Sequence, residues 1–249
     1  MSSATLESNS SALETHAQLL TWSLVVATYN RAAVLPECLR LAAEQSVPPK
    51  EIIVVDASVD WQGTREVVWR DLRPRHPAIA WTYVAAEEAS SATQRNQGIA
   101  LATGDLVLFT DDDCLLYPDA MEHVRRVFEA DRDREVAAVH MIFAPPPPDS
   151  IFAQAGARED ALAGKNKPRF ALAQLVRKVL SCDDLFVPYD ADFPVRQLPP
   201  AVAQLNVAVR KALPGGGLVV RRTLLDREQF CPLLKRYASG EDTDLTYRL

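Results

Sequence analysis

Cysteine is scarce in this chain: four in 249 residues, Cys38, Cys114, Cys182 and Cys231, with no CxxC pair among them. That spacing argues against a thiolate zinc cluster and a disulfide framework, and fits reduced thiols in a cytoplasm. Basic residues are in deficit, 27 Lys and Arg against 33 Asp and Glu, for a net charge of −6. Without a basic face the chain is poorly suited to meet phosphodiester backbones, so no nucleic-acid partner is expected. Long apolar runs are lacking as well, so no transmembrane segment is expected; peripheral contact with a membrane stays open. The opening stretch MSSATLESNSSALETHAQ has neither the basic nor the apolar region of a signal peptide, and residues 1–20 read as a loose tail.

What is present is a globular composition, 48% hydrophobic and 24% charged, in a chain long enough for a sizeable core. Four short runs, Trp22–Thr28, Glu51–Ser58, Ile79–Ala85 and Leu106–Thr110, are rich in Val, Ile and aromatics and apolar on both faces, as buried parallel strands are. Helical patterns lie between them. AVLPECLRLAAEQ puts Leu35, Cys38, Leu39 and Ala42 on one face. PDAMEHVRRVFEAD opens with Pro118 at a first helical position and stripes Met121, Val124 and Phe128. A further strand is expected at Glu135–Phe143. This alternation predicts an open α/β sheet with crossover helices over residues 21–144. The four prolines of APPPPDS then mark a boundary to a less regular region, 145–249, with a helix at RFALAQLVRKVL and a loop at VPYDADFPVRQLPP.

In open parallel sheets ligands bind outside the carboxyl ends of the strands. Polar clusters fall there: Thr28–Arg31 after the first strand, Asp56, Ser58 and Asp60 after the second, and Asp111, Asp112 and Asp113 after the fourth. Three adjacent carboxylates repel one another unless a cation neutralises them, and oxygen ligands suit Mg²⁺ or Mn²⁺ sharing its shell with substrate phosphates. The tripeptide alone fits a solvated loop with a helix N-cap equally well.

SLVVATYNR, EIIVVDAS, ATQRNQGIALATGDLVLFTDDD and GEDTDLTYRL follow one another in the order and approximate spacing of family 2 glycosyltransferases, and the chain resembles that family from about Trp22 to Leu249. The resemblance implies a GT-A fold, an open mixed sheet flanked by helices with a less regular acceptor side, continuous as one domain. It implies a nucleotide-diphospho-sugar donor and a divalent metal. Thr28, Asn30 and Arg31 would line the base and ribose, and Asp56 would accept from a base ring N–H, which suits uracil or thymine. Arg95 and Asn96 would lie near the diphosphate and ribose. Asp111–Asp113 match a DXD motif, with Asp113 and Asp111 on the metal and Asp112 nearer the ribose. PGGGLVVRR resembles the acceptor-side segment, with Gly216 and Gly217 approaching the ligand. Asp242 matches the general base, leaving Glu241 and Asp244 for acceptor binding.

Plainer readings stand beside these. Asn30 fits a helix cap, Arg31 a surface charge, Asp56 a turn, Arg95 a surface pair with Glu87 or Glu88, Asn96 a turn or packing position, and the acids at 241–244 an ordinary helix start. His123 and His140 read as structural. Four departures from the family matter: DASVDWQG replaces the usual turn and leaves Asp60 without a role; Trp61 and Trp69 are unusually large there; no C-terminal metal-binding histidine is found; and the chain stops at Leu249, where family members usually continue.

The function expected is therefore inverting, metal-assisted transfer of a sugar to a saccharide, lipid-linked or other hydroxyl acceptor, in the cytoplasm. A nucleotidyltransferase that makes nucleotide sugars could share the sheet and the acids, but it needs a Gly-rich basic loop after the first strand, and ATYNRAAV has no glycine. A non-catalytic nucleotide-sugar-binding domain is the third alternative; the intact acidic motifs argue against it.

Overall fold

The computed structural model describes residues 19–142, 144, 197–210, 213, 215–234 and 240–249. The tail at 1–18, the prolines at 145–148, the helix expected at 169–180 and most of the loop at 187–200 lie outside the described residues.

The four apolar runs form strands β1 (Trp22–Thr28), β2 (Glu51–Asp56), β3 (Ala80–Ala85) and β4 (Leu106–Thr110). All four are mutually parallel, and β5 (Ala138–His140) and β6 (Leu218–Arg221) complete a six-stranded sheet of order β3-β2-β1-β4-β6-β5. Strand β6 runs antiparallel to both neighbours, so the sheet is mixed, and segments from both sides of the proline run share it. The helices are α1 (Leu35–Ala43), α2 (Trp61–Asp71), α3 (Ser91–Leu101), α4 (Ala120–Ala130), the single turn α5 (Pro200–Ala203) and α6 (Glu241–Arg248).

Alternation along each strand divides the core. Leu24, Val26, Ile52, Val54, Leu106 and Leu108 meet Leu35 and Leu39 of α1, Val68 of α2, and Met121, Val124 and Phe128 of α4. On the opposite face Val25, Ile53, Val55, Val107 and Phe109 meet Ala92 and Ile99 of α3, Phe230, and Leu245 of α6. Each fully buried side chain of this kind contributes about 1.5–3 kcal/mol relative to exposure, which is why both faces of these strands read as apolar.

Two expectations are corrected and one segment is placed in the sheet. Helix α4 begins at Ala120, not Pro118, because the Pro118 carbonyl accepts from the Ser46 N–H (2.7 Å) and Asp119 takes the N-cap position. Strand β5 covers only Ala138–His140, because the Asp131 carboxylate takes the N–H groups of Glu135 (3.0 Å) and Val136 (2.8 Å) and holds them in a turn. LVVR, read as part of the acceptor-side segment, is a fully buried strand between β4 and β5.

Candidate active site

The parallel register of β1, β2 and β4 brings their carboxyl ends to one edge, with Thr28 opposite Asp56 and Val26 opposite Thr110. Gln94 of α3 secures that edge: its buried amide donates to the carbonyls of Thr28 (2.9 Å) and Val55 (2.8 Å). The loop after β1 is joined to the one after β2. Asn30, in the left-handed region (φ 55°), donates its N–H to the Ser58 hydroxyl (2.7 Å), and Ser58 in turn donates to Asp56. Asp56 is buried; its other oxygen accepts from the Tyr83 hydroxyl (2.5 Å). The turn reading of Asp56 therefore describes what its carboxylate does in this structure, and Tyr83 is a partner the sequence did not announce. Asp60 caps α2 by accepting from the Gly63 N–H (3.3 Å), and Trp61 stacks on Tyr83.

The three aspartates after β4 part ways. Asp112 turns inward and accepts from the Thr28 hydroxyl (2.6 Å), and burial raises its pKa. Thr28 and Asp112 thus brace the floor of the site. Asp111 and Asp113 face outward, their side chains 53% and 54% exposed. Their carboxylates and the Cys114 thiol have donor atoms within 4.8 Å of one another. Burial and the Asp111 charge raise the Cys114 pKa, and the two exposed carboxylates supply the oxygen donors of the group. Hard oxygen donors with open approach fit a hard divalent cation. Arg31, half-exposed, stands 3.8 Å from both Asp112 and Asp113.

Helix α6 closes the site. Gly240 precedes it with φ 115°, and the turn presents Glu241 and Asp242 inward, their side chains 12% and 13% exposed. Asp244 points elsewhere and pairs with Arg248 (2.9 Å). Asp242 is pushed up to about 6, chiefly by burial; Arg95 opposes the shift, Glu241 and Asp111 add to it, and the Gly215 N–H opposes it. A Cβ on Gly215 would collide with the Asp242 carboxylate, which would have to shift to admit it.

Arg95 lies between the two acidic groups and is 4% exposed. One terminal nitrogen donates to Asp242 (2.6 Å) and Glu241 (3.2 Å), the other to Asp111 (3.1 Å). Its guanidinium lies 5.3 Å from the centroid of the Phe230 ring. The surface-pair reading fails because Arg95 is buried and its partners come from the turn after β4 and from α6. Asn96 does not join the site: its amide both donates to and accepts from the Phe230 backbone (2.8 and 3.0 Å), a packing role that fixes the ring under Arg95. Gly216 and Gly217 are buried, and the N–H and C=O of Gly217 are taken by Phe109 and Met141 (3.0 Å each), so Gly217 extends the sheet.

The sequence model of Glycosyl transferase family 2 matches residues 23–150, which take in β1 from Ser23, β2 to β5 and the aspartate cluster. The chain belongs to glycosyl transferase family 2. Among curated relatives of the family, the uncharacterized glycosyltransferase YwdF of Bacillus subtilis (strain 168) is 30% identical over 107 residues, 43% of this chain and 38% of its own length. The amylovoran biosynthesis glycosyltransferase AmsB of Erwinia amylovora is 33% identical over 105 residues, 41% of this chain and 34% of its own. The matches thus span little more than a third of these relatives. Among solved structures, S. aureus TarS superposes with a TM-score of 0.52 at 16% identity, covering 92% of this chain and 33% of TarS. The fold of this family 2 chain is GT-A. No helix among the described residues is long and apolar enough to cross a membrane.

Proposed function

We propose that this chain binds a nucleotide-diphospho-sugar, UDP- or dTDP-linked, and transfers its sugar with inversion to an acceptor hydroxyl. The observation that carries the reading is the meeting of Asp111, after β4, with Glu241 and Asp242, at the start of α6, around one buried arginine. Asp113 and Asp111 would hold Mn²⁺ or Mg²⁺, which when bound supplies positive charge for the departing diphosphate. Arg31 is free enough to reach phosphate oxygens. Asp242 is ionised above about pH 6 and can take the proton of the acceptor hydroxyl at neutral pH. Glu241 and Gly216 border the acceptor side, and Asp56 with the Thr28–Arg31 loop forms the base end. Acceptors of saccharide, lipid-linked or other hydroxyl type, and a cytoplasmic setting, belong to the same proposal.

A thermal-shift screen of UDP-, dTDP-, GDP- and ADP-sugars, each with and without Mn²⁺, tests it. A ligand that binds only the folded chain at about 100 times its Kd stabilises by about 2.7 kcal/mol, several degrees in Tm for a domain of this size. The expected result is an Mn²⁺-dependent rise with the uridine or thymidine sugars. A response confined to the ADP-sugar, or none to any sugar, would overturn the donor assignment.

A further inference from the structure

Arg95 is the point where the two ends of the site touch. Its fork divides, one terminal nitrogen serving Glu241 and Asp242 and the other serving Asp111. At 4% exposure the residue has almost no surface left for a phosphate. Its position is enforced from behind: the Phe230 ring lies against the guanidinium, Asn96 clips the Phe230 backbone at both N–H and C=O, and Phe109 of β4 packs edge-on to Phe230 at 5.0 Å. A single charge is therefore shared between a cation ligand and the base.

We propose that Arg95 is a positioning residue that couples cation binding to the base: a divalent cation at Asp111 and Asp113 displaces Arg95 from Asp111 and commits its charge to the Glu241–Asp242 pair. The inference rests on the metal and base assignments above. Sharing of one charge makes the coupling reciprocal. In the cation-free chain Arg95 competes with the cation for Asp111 and repels it. With the cation bound, both terminal nitrogens serve α6 and hold Asp242 in one orientation, with its proton-accepting oxygen presented to the acceptor.

The coupling has a signature that a merely structural arginine lacks. Arg95→Met removes the competitor, so Mn²⁺ alone, titrated by calorimetry or by electron paramagnetic resonance, should bind at least about fivefold more tightly, the lower end of ordinary coupling energies. UDP affinity at saturating Mn²⁺ should be unchanged while donor turnover falls. Unchanged or weaker Mn²⁺ binding in Arg95→Met overturns the inference alone. So does a loss of UDP affinity at saturating Mn²⁺, which would put Arg95 on the diphosphate. If the parent chain binds no Mn²⁺, the metal assignment fails and the inference with it. Orphaning buried carboxylates endangers the fold. Should Arg95→Met not fold, the comparison is made in the Glu241→Gln/Asp242→Asn background, with and without Arg95→Met, where the same tightening is expected and its absence is equally decisive.

Discussion

In the proposed mechanism Asp242 carries the heaviest chemical demand of any single residue. Burial raises it to about 6, and Arg95 keeps it from rising further. Turnover should therefore increase with pH through about 6, and Asp242→Asn should lower it by about 10²–10⁴-fold while nucleotide binding persists. The same shift has a stability cost of definite sign. Between about pH 4 and 6 the folded chain holds a proton on Asp242 that the unfolded chain has released, so this residue's contribution falls as pH rises. Relative to the parent, Asp242→Asn should gain about 2–3 kcal/mol between pH 4 and 7, measured by urea unfolding at each pH. A flat difference across that range would contradict the buried-carboxylate account. Glu51 and Asp131 act oppositely: hydrogen bonds hold both below their usual range, so their stabilisation is present at neutral pH and lost in acid.

At the scale of elements, β1, β2 and β4 were legible because each is covered on both faces, which leaves a run of apolar residues that a central strand explains, whereas β3, half-exposed at the sheet edge, was legible from its aromatic and β-branched residues. Strand β6 was not legible: LVVR is four residues long, and its place and antiparallel sense are decided by β4 and β5 rather than by local preference. The aspartates after β4 and the Glu-Asp pair of α6 were readable as motifs, yet their junction was hidden, since Arg95 meets acids 146 and 147 positions along the chain. The Asn96 clip to Phe230 spans 134 positions and left no local trace. The glycine run was read as backbone approaching a ligand; in the fold the group against Gly215 is Asp242. Gly215→Ala should therefore displace Asp242 and lower turnover with Mn²⁺ and nucleotide affinity retained; loss of both together would place the defect elsewhere. Asn96→Ala leaves the Phe230 backbone unpaired and should cost about 1–3 kcal/mol in urea unfolding.

For the whole molecule, the sheet does the assembling. Parallel strands deliver Thr28, Asp56 and the aspartates after β4 to one edge, and β6, arriving from the far side of the proline run, brings Gly215–Gly217 alongside β4, where Gly215 meets Asp242 of α6. Arg221 fixes this junction by pairing with buried Asp131 at the end of α4 (2.8 Å). The central claim is that two acidic clusters, remote in sequence, make one site with separate duties. It is tested most directly by measuring Mn²⁺-dependent UDP binding and UDP-sugar turnover side by side in the parent, Asp113→Ala and Asp242→Asn chains. The account predicts a split: Asp113→Ala loses Mn²⁺-dependent binding and turnover together, whereas Asp242→Asn binds as the parent does and turns over about 10²–10⁴-fold more slowly. Parental turnover in a folded Asp242→Asn chain, or parental Mn²⁺-dependent binding in Asp113→Ala, would contradict it.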